Sequence, residues 1–188
     1  GVQGVFACID KEGKLVWRHS LTEEFGRISG YGGRTHTPMV DEGRVVISFL
    51  NSSWGKQGRG SHRYLALDKL TGETIWWSTP GGAPLDTTYS MPSVAVIDGV
   101  RILVVGCADG NVYGLKSSTG EKVWTFRLSK RGLNASVIVH GGLVYACHSE
   151  ENQLSTDSKQ PVMGRVVCFK ASGEGDITET NEVWRVDG

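Results

Sequence analysis

Ala66-Leu67-Asp68-Lys69-Leu70-Thr71-Gly72-Glu73-Thr74-Ile75-Trp76 is the stretch on which the reading of the fold turns. An apolar run enters a turn that carries Gly72, and a second run of β-branched and aromatic residues leaves it to reach tryptophan. That pattern is a hairpin. The phrase returns three times. Gly114-Leu115-Lys116-Ser117-Ser118-Thr119-Gly120-Glu121-Lys122-Val123-Trp124 repeats it at the same length. Cys8-Ile9-Asp10-Lys11-Glu12-Gly13-Lys14-Leu15-Val16-Trp17 is one residue shorter, and Cys168-Phe169-Lys170-Ala171 runs on to Glu182-Val183-Trp184 with its turn lengthened. Tryptophans 17, 76, 124 and 184 fall 59, 48 and 60 residues apart. A period on that scale is one blade of a propeller with loop insertions.

Upstream of three copies lies a second hairpin. Val94-Ala95-Val96-Ile97 and Arg101-Ile102-Leu103-Val104-Val105 flank Asp98-Gly99, a two-residue turn signal. Val137-Ile138-Val139 and Leu143-Val144-Tyr145 flank Gly141-Gly142, and Pro38-Met39-Val40 and Val45-Val46-Ile47 flank Asp41-Glu42-Gly43. The unit is therefore four antiparallel strands, and no helical apolar period interrupts it. We expect an all-β chain forming one propeller segment over 1–188, with blades at 34–79, 91–128 and 134–186 and a two-strand half blade at 5–20.

The phrase at 66–76 resembles the tryptophan-docking motif of the PQQ-type (quinoprotein-like) repeat, and the resemblance covers essentially the whole chain. The repeat is found in quinoprotein dehydrogenase propellers and in non-catalytic relatives, among them an outer-membrane assembly lipoprotein. It implies that Trp17, Trp76, Trp124 and Trp184 end the outermost strands and pack between blades as core, with Gly72 and Gly120 shaping the turns. It also implies a bacterial protein, periplasmic or extracellular, and a full ring of seven or eight blades. Three and a half are present here. Propellers close with about 4–8 blades, so both ends would leave apolar flanks uncovered. The remaining blades are expected from a longer chain or from a second subunit.

The 188 residues contain 20 Lys plus Arg and 20 Asp plus Glu, a formal charge of zero. That balance gives no broad electrostatic reason to expect nucleic acid as a partner. No apolar run approaches the ~18 residues of a membrane span, and Gly1-Val2-Gln3-Gly4 does not read as a signal peptide. Gly stands at 26 of 188, about twice the usual ~7%, and serves as turn punctuation. Cys8, Cys107, Cys147 and Cys168 each sit in an apolar run without metal-ligand spacing, and read as small buried hydrophobes.

On a propeller of this topology the turns separate onto two faces. One carries the short turns 11–13, 41–43, 69–72, 98–99 and 140–142, with 171–182 the long exception. The other carries 21–35, 50–62, 80–91, 128–135 and 148–165, and long loops on a rigid scaffold tend to carry function. Candidate ligand-binding residues on that face are Arg34, His36, Trp54, Asp86, Tyr89, Asn134, His148, Glu150 and Glu151. His36, Asp86, His148 and Glu150 come from separate loops and lack local chelating spacing, so no metal site is expected.

The expected function is a non-catalytic binding or scaffold module acting through the long-loop face on a protein or small-molecule ligand. One alternative is a fragment of a PQQ-dependent dehydrogenase. The resemblance would then imply quinone held under adjacent half-cystines beside a calcium, with an aspartate base. The sequence has no Cys-Cys pair and no tryptophan-rich floor, and no cofactor is evident. Another alternative is glycan binding, with Trp54, Tyr31 and Tyr89 as aromatic platforms.

Overall fold

The computed structural model describes residues 4–26, 28, 37–51, 60–151 and 163–188. Its elements are β1 (Val5–Ile9), β2 (Leu15–Ser20), α1 (Leu21–Phe25), β3 (Met39–Asp41), β4 (Arg44–Asn51), β5 (Ser61–Asp68), β6 (Thr74–Ser78), β7 (Ser93–Ile97), β8 (Val100–Gly106), β9 (Asn111–Lys116), β10 (Lys122–Arg127), β11 (Ile138–His140), β12 (Leu143–Glu151), β13 (Met163–Lys170), β14 (Gly175–Asp176), α2 (Thr178–Asn181) and β15 (Glu182–Asp187). They form four sheets: β1-β2, β3-β4-β5-β6, β7-β8-β9-β10 with β14 added at its outer edge, and β11-β12-β13-β15. All pairings are antiparallel except that of β14 with β10. This is the stacked-sheet architecture of an incomplete propeller.

The core lies between sheets, and alternation along the strands explains it. Val45, Ile47, Phe49, Leu65 and Leu67 face back toward β1-β2, joined by Phe6 and Trp17. Val46, Tyr64 and Ala66, one residue out of phase, face forward and meet Leu103, Val105 and Leu115. Ile102, Val104 and Val112 in turn meet Val144, Val167 and Phe169. Inner strands are thus covered on both faces, which is why they read as continuous apolar runs rather than alternating ones.

The first two joints are each pinned by a tryptophan. The indole N–H of Trp17 donates to the Lys69 carbonyl at 3.2 Å, and that of Trp76 donates to Ser117 at 3.0 Å, the equivalent repeat position one sheet on. Beneath the rings lie Gly72 (φ 77°) and Gly120 (φ 72°). A Cβ there would stand 2.6 Å from Trp17 and 2.5 Å from Trp76. Glycine is required twice over, by the left-handed backbone and by the contact. Asp41 adds a polar tie: its buried carboxylate accepts from Arg101 Nε at 2.9 Å and from the Ser117 hydroxyl, both in the next sheet. The Arg101 guanidinium holds the Asp41 carboxyl below its ordinary range.

The structure corrects four expectations. Trp76 and Trp124 are core, 7% and 1% exposed, but Trp184 is 43% exposed and Trp17 only half-buried. Trp184 lies on β15, whose forward face meets no further sheet among the described residues. Cys147 is exposed for the same reason, on the open face of β12, while Cys107 and Cys168 are buried. The outer strands do not end on tryptophan; β6 runs two residues past Trp76 and β10 three past Trp124.

The turn 171–182 is also more than a long turn, since it holds β14 and α2. β14 pairs Gly175 with Trp124 and Asp176 with Thr125 of the preceding sheet, and Asp176 bonds Arg127 at 3.1 Å. At this joint the Thr-Gly turn is gone. Trp124 faces Gly114 of its own sheet, as Trp76 faces Ala66, and a Cβ on Gly114 would stand 2.3 Å from the ring. Its buried indole N–H meets no acceptor among the described residues.

Replacing Trp76 with alanine removes a buried aromatic and its hydrogen bond, and should cost about 3–5 kcal/mol in urea unfolding. A loss below ~1 kcal/mol would show that this side chain is not part of the core.

Candidate functional site

The long-loop face is organised by two connections that leave the outer strands and return to the next inner strand, residues 79–92 and 128–137. They run side by side and bond in register. The Thr88 hydroxyl donates to the Leu133 carbonyl, the Met91 N–H donates to Ser136 Oγ at 3.1 Å, and Ser93 Oγ donates to the Val137 carbonyl at 2.5 Å. The partners are 45, 45 and 44 residues apart, so the connections of two successive repeats are laced together. Gly132 permits the approach, since a Cβ there would stand 2.3 Å from the Thr87 carbonyl oxygen.

Asp109 anchors the start of the first connection. Its Oδ2 accepts from the Gly82 N–H at 2.8 Å and from the Tyr113 hydroxyl at 2.6 Å, and its Oδ1 accepts from the Asn111 N–H at 3.2 Å. Burial, with the Asp109 hydrogen bond added, pushes the Tyr113 phenol up. The Leu85 and Asp86 N–H groups both donate to the Ala108 carbonyl, at 2.8 and 3.2 Å. Below them the Ala108 N–H donates to His62 Nδ1 at 3.3 Å, which assigns the proton to Nε2, 3.0 Å from Ser48 Oγ. Burial raises the thiol of Cys107 and the phenol of Tyr64 well above their usual ranges, so neither is an activated nucleophile at neutral pH.

The expected site residues separate accordingly. Asp86 is half-buried and its Oδ1 accepts from the Thr87 N–H at 2.7 Å, a local turn bond. Tyr89, 38% exposed, lies in the first laced connection, and Asn134, also exposed, in the second. His148 is half-buried on β12, with Nδ1 3.3 Å from Ser129 Oγ at the start of the second connection. Glu150 and Glu151 end β12, where Glu151 pairs with Met163. Arg34, His36 and Trp54 lie outside the described residues. Among the described residues no three His, Cys, Asp or Glu side chains group as metal ligands.

Thr88, Asp109 and the His62–Ser48 pair were not singled out from the sequence, although they set the frame. Asp109-Gly110 reads there only as a tight turn. No local pattern marked this lacing, since 87–92 and 132–137 share no residue when set 45 apart.

A family model described as outer membrane protein assembly factor BamB matches residues 1–186. BamB of Kangiella koreensis is 31% identical over 169 residues, covering 85% of this chain and 36% of its own length. Tetrathionate hydrolase of Acidithiobacillus ferrooxidans is 25% identical over 152 residues, 74% of this chain and 28% of its own. The chain thus spans about a third of the curated relatives it matches. Among solved structures, BamB from Moraxella catarrhalis superposes with a TM-score of 0.56 at 16% identity, covering 98% of this chain and 59% of that one. Quinohemoprotein alcohol dehydrogenase ADHIIG from Pseudomonas putida HK5 gives 0.58 at 15%, covering 99% and 31%. At such identities the structural likenesses show the fold.

Asp109→Ala should release the first connection. Unfolding is expected to become easier by about 1 kcal/mol, the net worth of a typical hydrogen bond, and the amides of Gly82, Leu85 and Asp86 should exchange faster. Unchanged exchange at those amides would show that Asp109 is not the anchor.

Proposed function

Since the chain belongs to the PQQ-type repeat family of outer membrane protein assembly factor BamB, we propose that it is a non-catalytic binding module of the bacterial envelope, periplasmic or extracellular, presenting its long-loop face to a protein partner. The lacing of 79–92 to 128–137 carries this reading. It holds Tyr89 and Asn134 outward on backbone already fixed by hydrogen bonds, and a pre-organised surface loses little freedom on binding. Tyrosine suits such a surface because it offers a large contact area with few rotatable bonds. The name of the family, an assembly factor for outer membrane proteins, favours a polypeptide ligand.

The dehydrogenase alternative would place quinone and calcium on this face. The described residues offer no grouped ligands for calcium, and Cys8, Cys107, Cys147 and Cys168 are all free thiols. The described residues do not supply that ligand set. The glycan alternative keeps Tyr89, while Trp54 and Tyr31 lie outside the described residues.

A photoreactive side chain at position 89 or 134, compared with position 70 on the short-turn face, tests the proposal in envelope extracts. One defined polypeptide should crosslink from 89 and 134 and be competed by the unmodified protein but not by Tyr89→Ala/Asn134→Ala. Adducts from position 70 alone, or quinone- and calcium-dependent dye reduction by the protein, would overturn it.

A further inference from the structure

The joint between the last two sheets holds a cavity where the other two hold a seat. Ala171 lies two residues past the last strand pair of its sheet, as Lys69 and Ser117 do in theirs. Its carbonyl is therefore the positional counterpart of the acceptors that Trp17 and Trp76 use. Trp124, 1% exposed, makes no such bond, and its indole N–H meets no acceptor among the described residues. The inserted turn is held by bonds of its own, Asn181 Nδ2 donating to the Lys170 and Ser172 carbonyls at 3.0 and 2.6 Å. Between the two sheets lies a cavity of about 230 Å³. Ile97, Val100, Ile102, Val123 and Trp124 line it from one sheet, and Ala171 and Gly173 line it from the inserted turn.

We propose that this cavity binds a small neutral molecule bearing a carbonyl group on a short apolar tail, with Trp124 Nε1–H donating to the carbonyl oxygen. Size, wall and charge set that class. A cavity of about 150 Å³ is enough for benzene, so this one accommodates a six-carbon chain with its head group. The walls are aliphatic and aromatic, which suits the tail, while the buried N–H gains most from a partner that completes its hydrogen bond. Asp98 and Glu174, both exposed, stand at its edge, and the nearby Lys116 Nζ is already held by Glu121 at 2.7 Å. A carboxylate would meet those two like charges. An ammonium would leave the indole donor unmet. The cavity opens beside the turns 98–99 and 171–182, on the face opposite the laced connections, so it is independent of the surface assigned to a protein partner.

Hexanamide, hexanoate and hexylammonium, equal in chain length, test this when titrated into the isotope-labelled protein and followed at the indole N–H resonances. Hexanamide should saturate at about millimolar concentration and move one indole resonance downfield, the one missing from Trp124→Phe. Hexanoate and hexylammonium should bind at least about tenfold more weakly. Trp124→Phe keeps a ring but no donor, and should weaken hexanamide about three- to tenfold, the range for one net hydrogen bond. Val100→Trp fills the cavity from a side chain that is 43% exposed, and should abolish binding. The proposal is overturned if hexanamide does not saturate, or if either charged analogue binds as tightly. Binding that leaves the Trp124 resonance unmoved, or that persists in Val100→Trp, overturns it too. If Trp124→Phe does not fold, the resonance is assigned through the Trp124 backbone and Val100→Trp decides: undiminished binding overturns the proposal.

Discussion

An indole lying on a glycine of the next sheet is the constraint on which the rest of this structure depends. Within a sheet, hydrogen bonds between strands are supplied by any antiparallel pair, but nothing in them fixes one sheet against another. Trp17 over Gly72 and Trp76 over Gly120 do so, each with an indole N–H on the carbonyl at the start of the turn. The ring buries a large apolar surface and the hydrogen bond sets its direction. The phrase from Ala66 to Trp76 can then repeat while the rest of each repeat varies.

The third joint shows what happens when the seat is altered. The turn after Lys170 has no Thr-Gly, so Trp124 has no equivalent glycine seat in the next sheet, and its N–H meets no acceptor among the described residues. A buried donor left unmet is a cost of about 1–3 kcal/mol. The inserted residues offset it by another route. Ile177 joins the core, the Ile177 N–H donates to the Thr125 carbonyl at 2.9 Å, and β14 covers the outer edge of β10. Capping an edge strand in this way also removes a site for unwanted pairing.

Much of this was legible in the residues. The Asp98-Gly99 and Gly141-Gly142 turns announce their hairpins through local backbone chemistry, and the recurring tryptophan declares the stacking of sheets. What depended on partners was not legible. The repeat makes Trp184 core only if a following sheet covers it, and Cys147 shares that condition. Asp41 meets Arg101 across 60 residues, and Thr88 meets Leu133 across 45, with no local pattern to mark either pair. Of the candidate site, Tyr89 and Asn134 emerge exposed, one on each laced connection, while Asp86 bonds its own loop. A loop's length indicates which face it serves, but the direction of each side chain is set by bonds to a neighbouring repeat.

A double-mutant cycle across one joint tests this account most directly. Trp76→Phe and Gly120→Ala, singly and together, can be compared by urea unfolding. If the ring and the glycine form one unit, the losses will be far from additive, with a coupling of about 0.5–3 kcal/mol as found for residues in contact. Losses that add within ~0.3 kcal/mol would contradict it, and would mean that the sheets are held together by general apolar burial rather than by a specific seat.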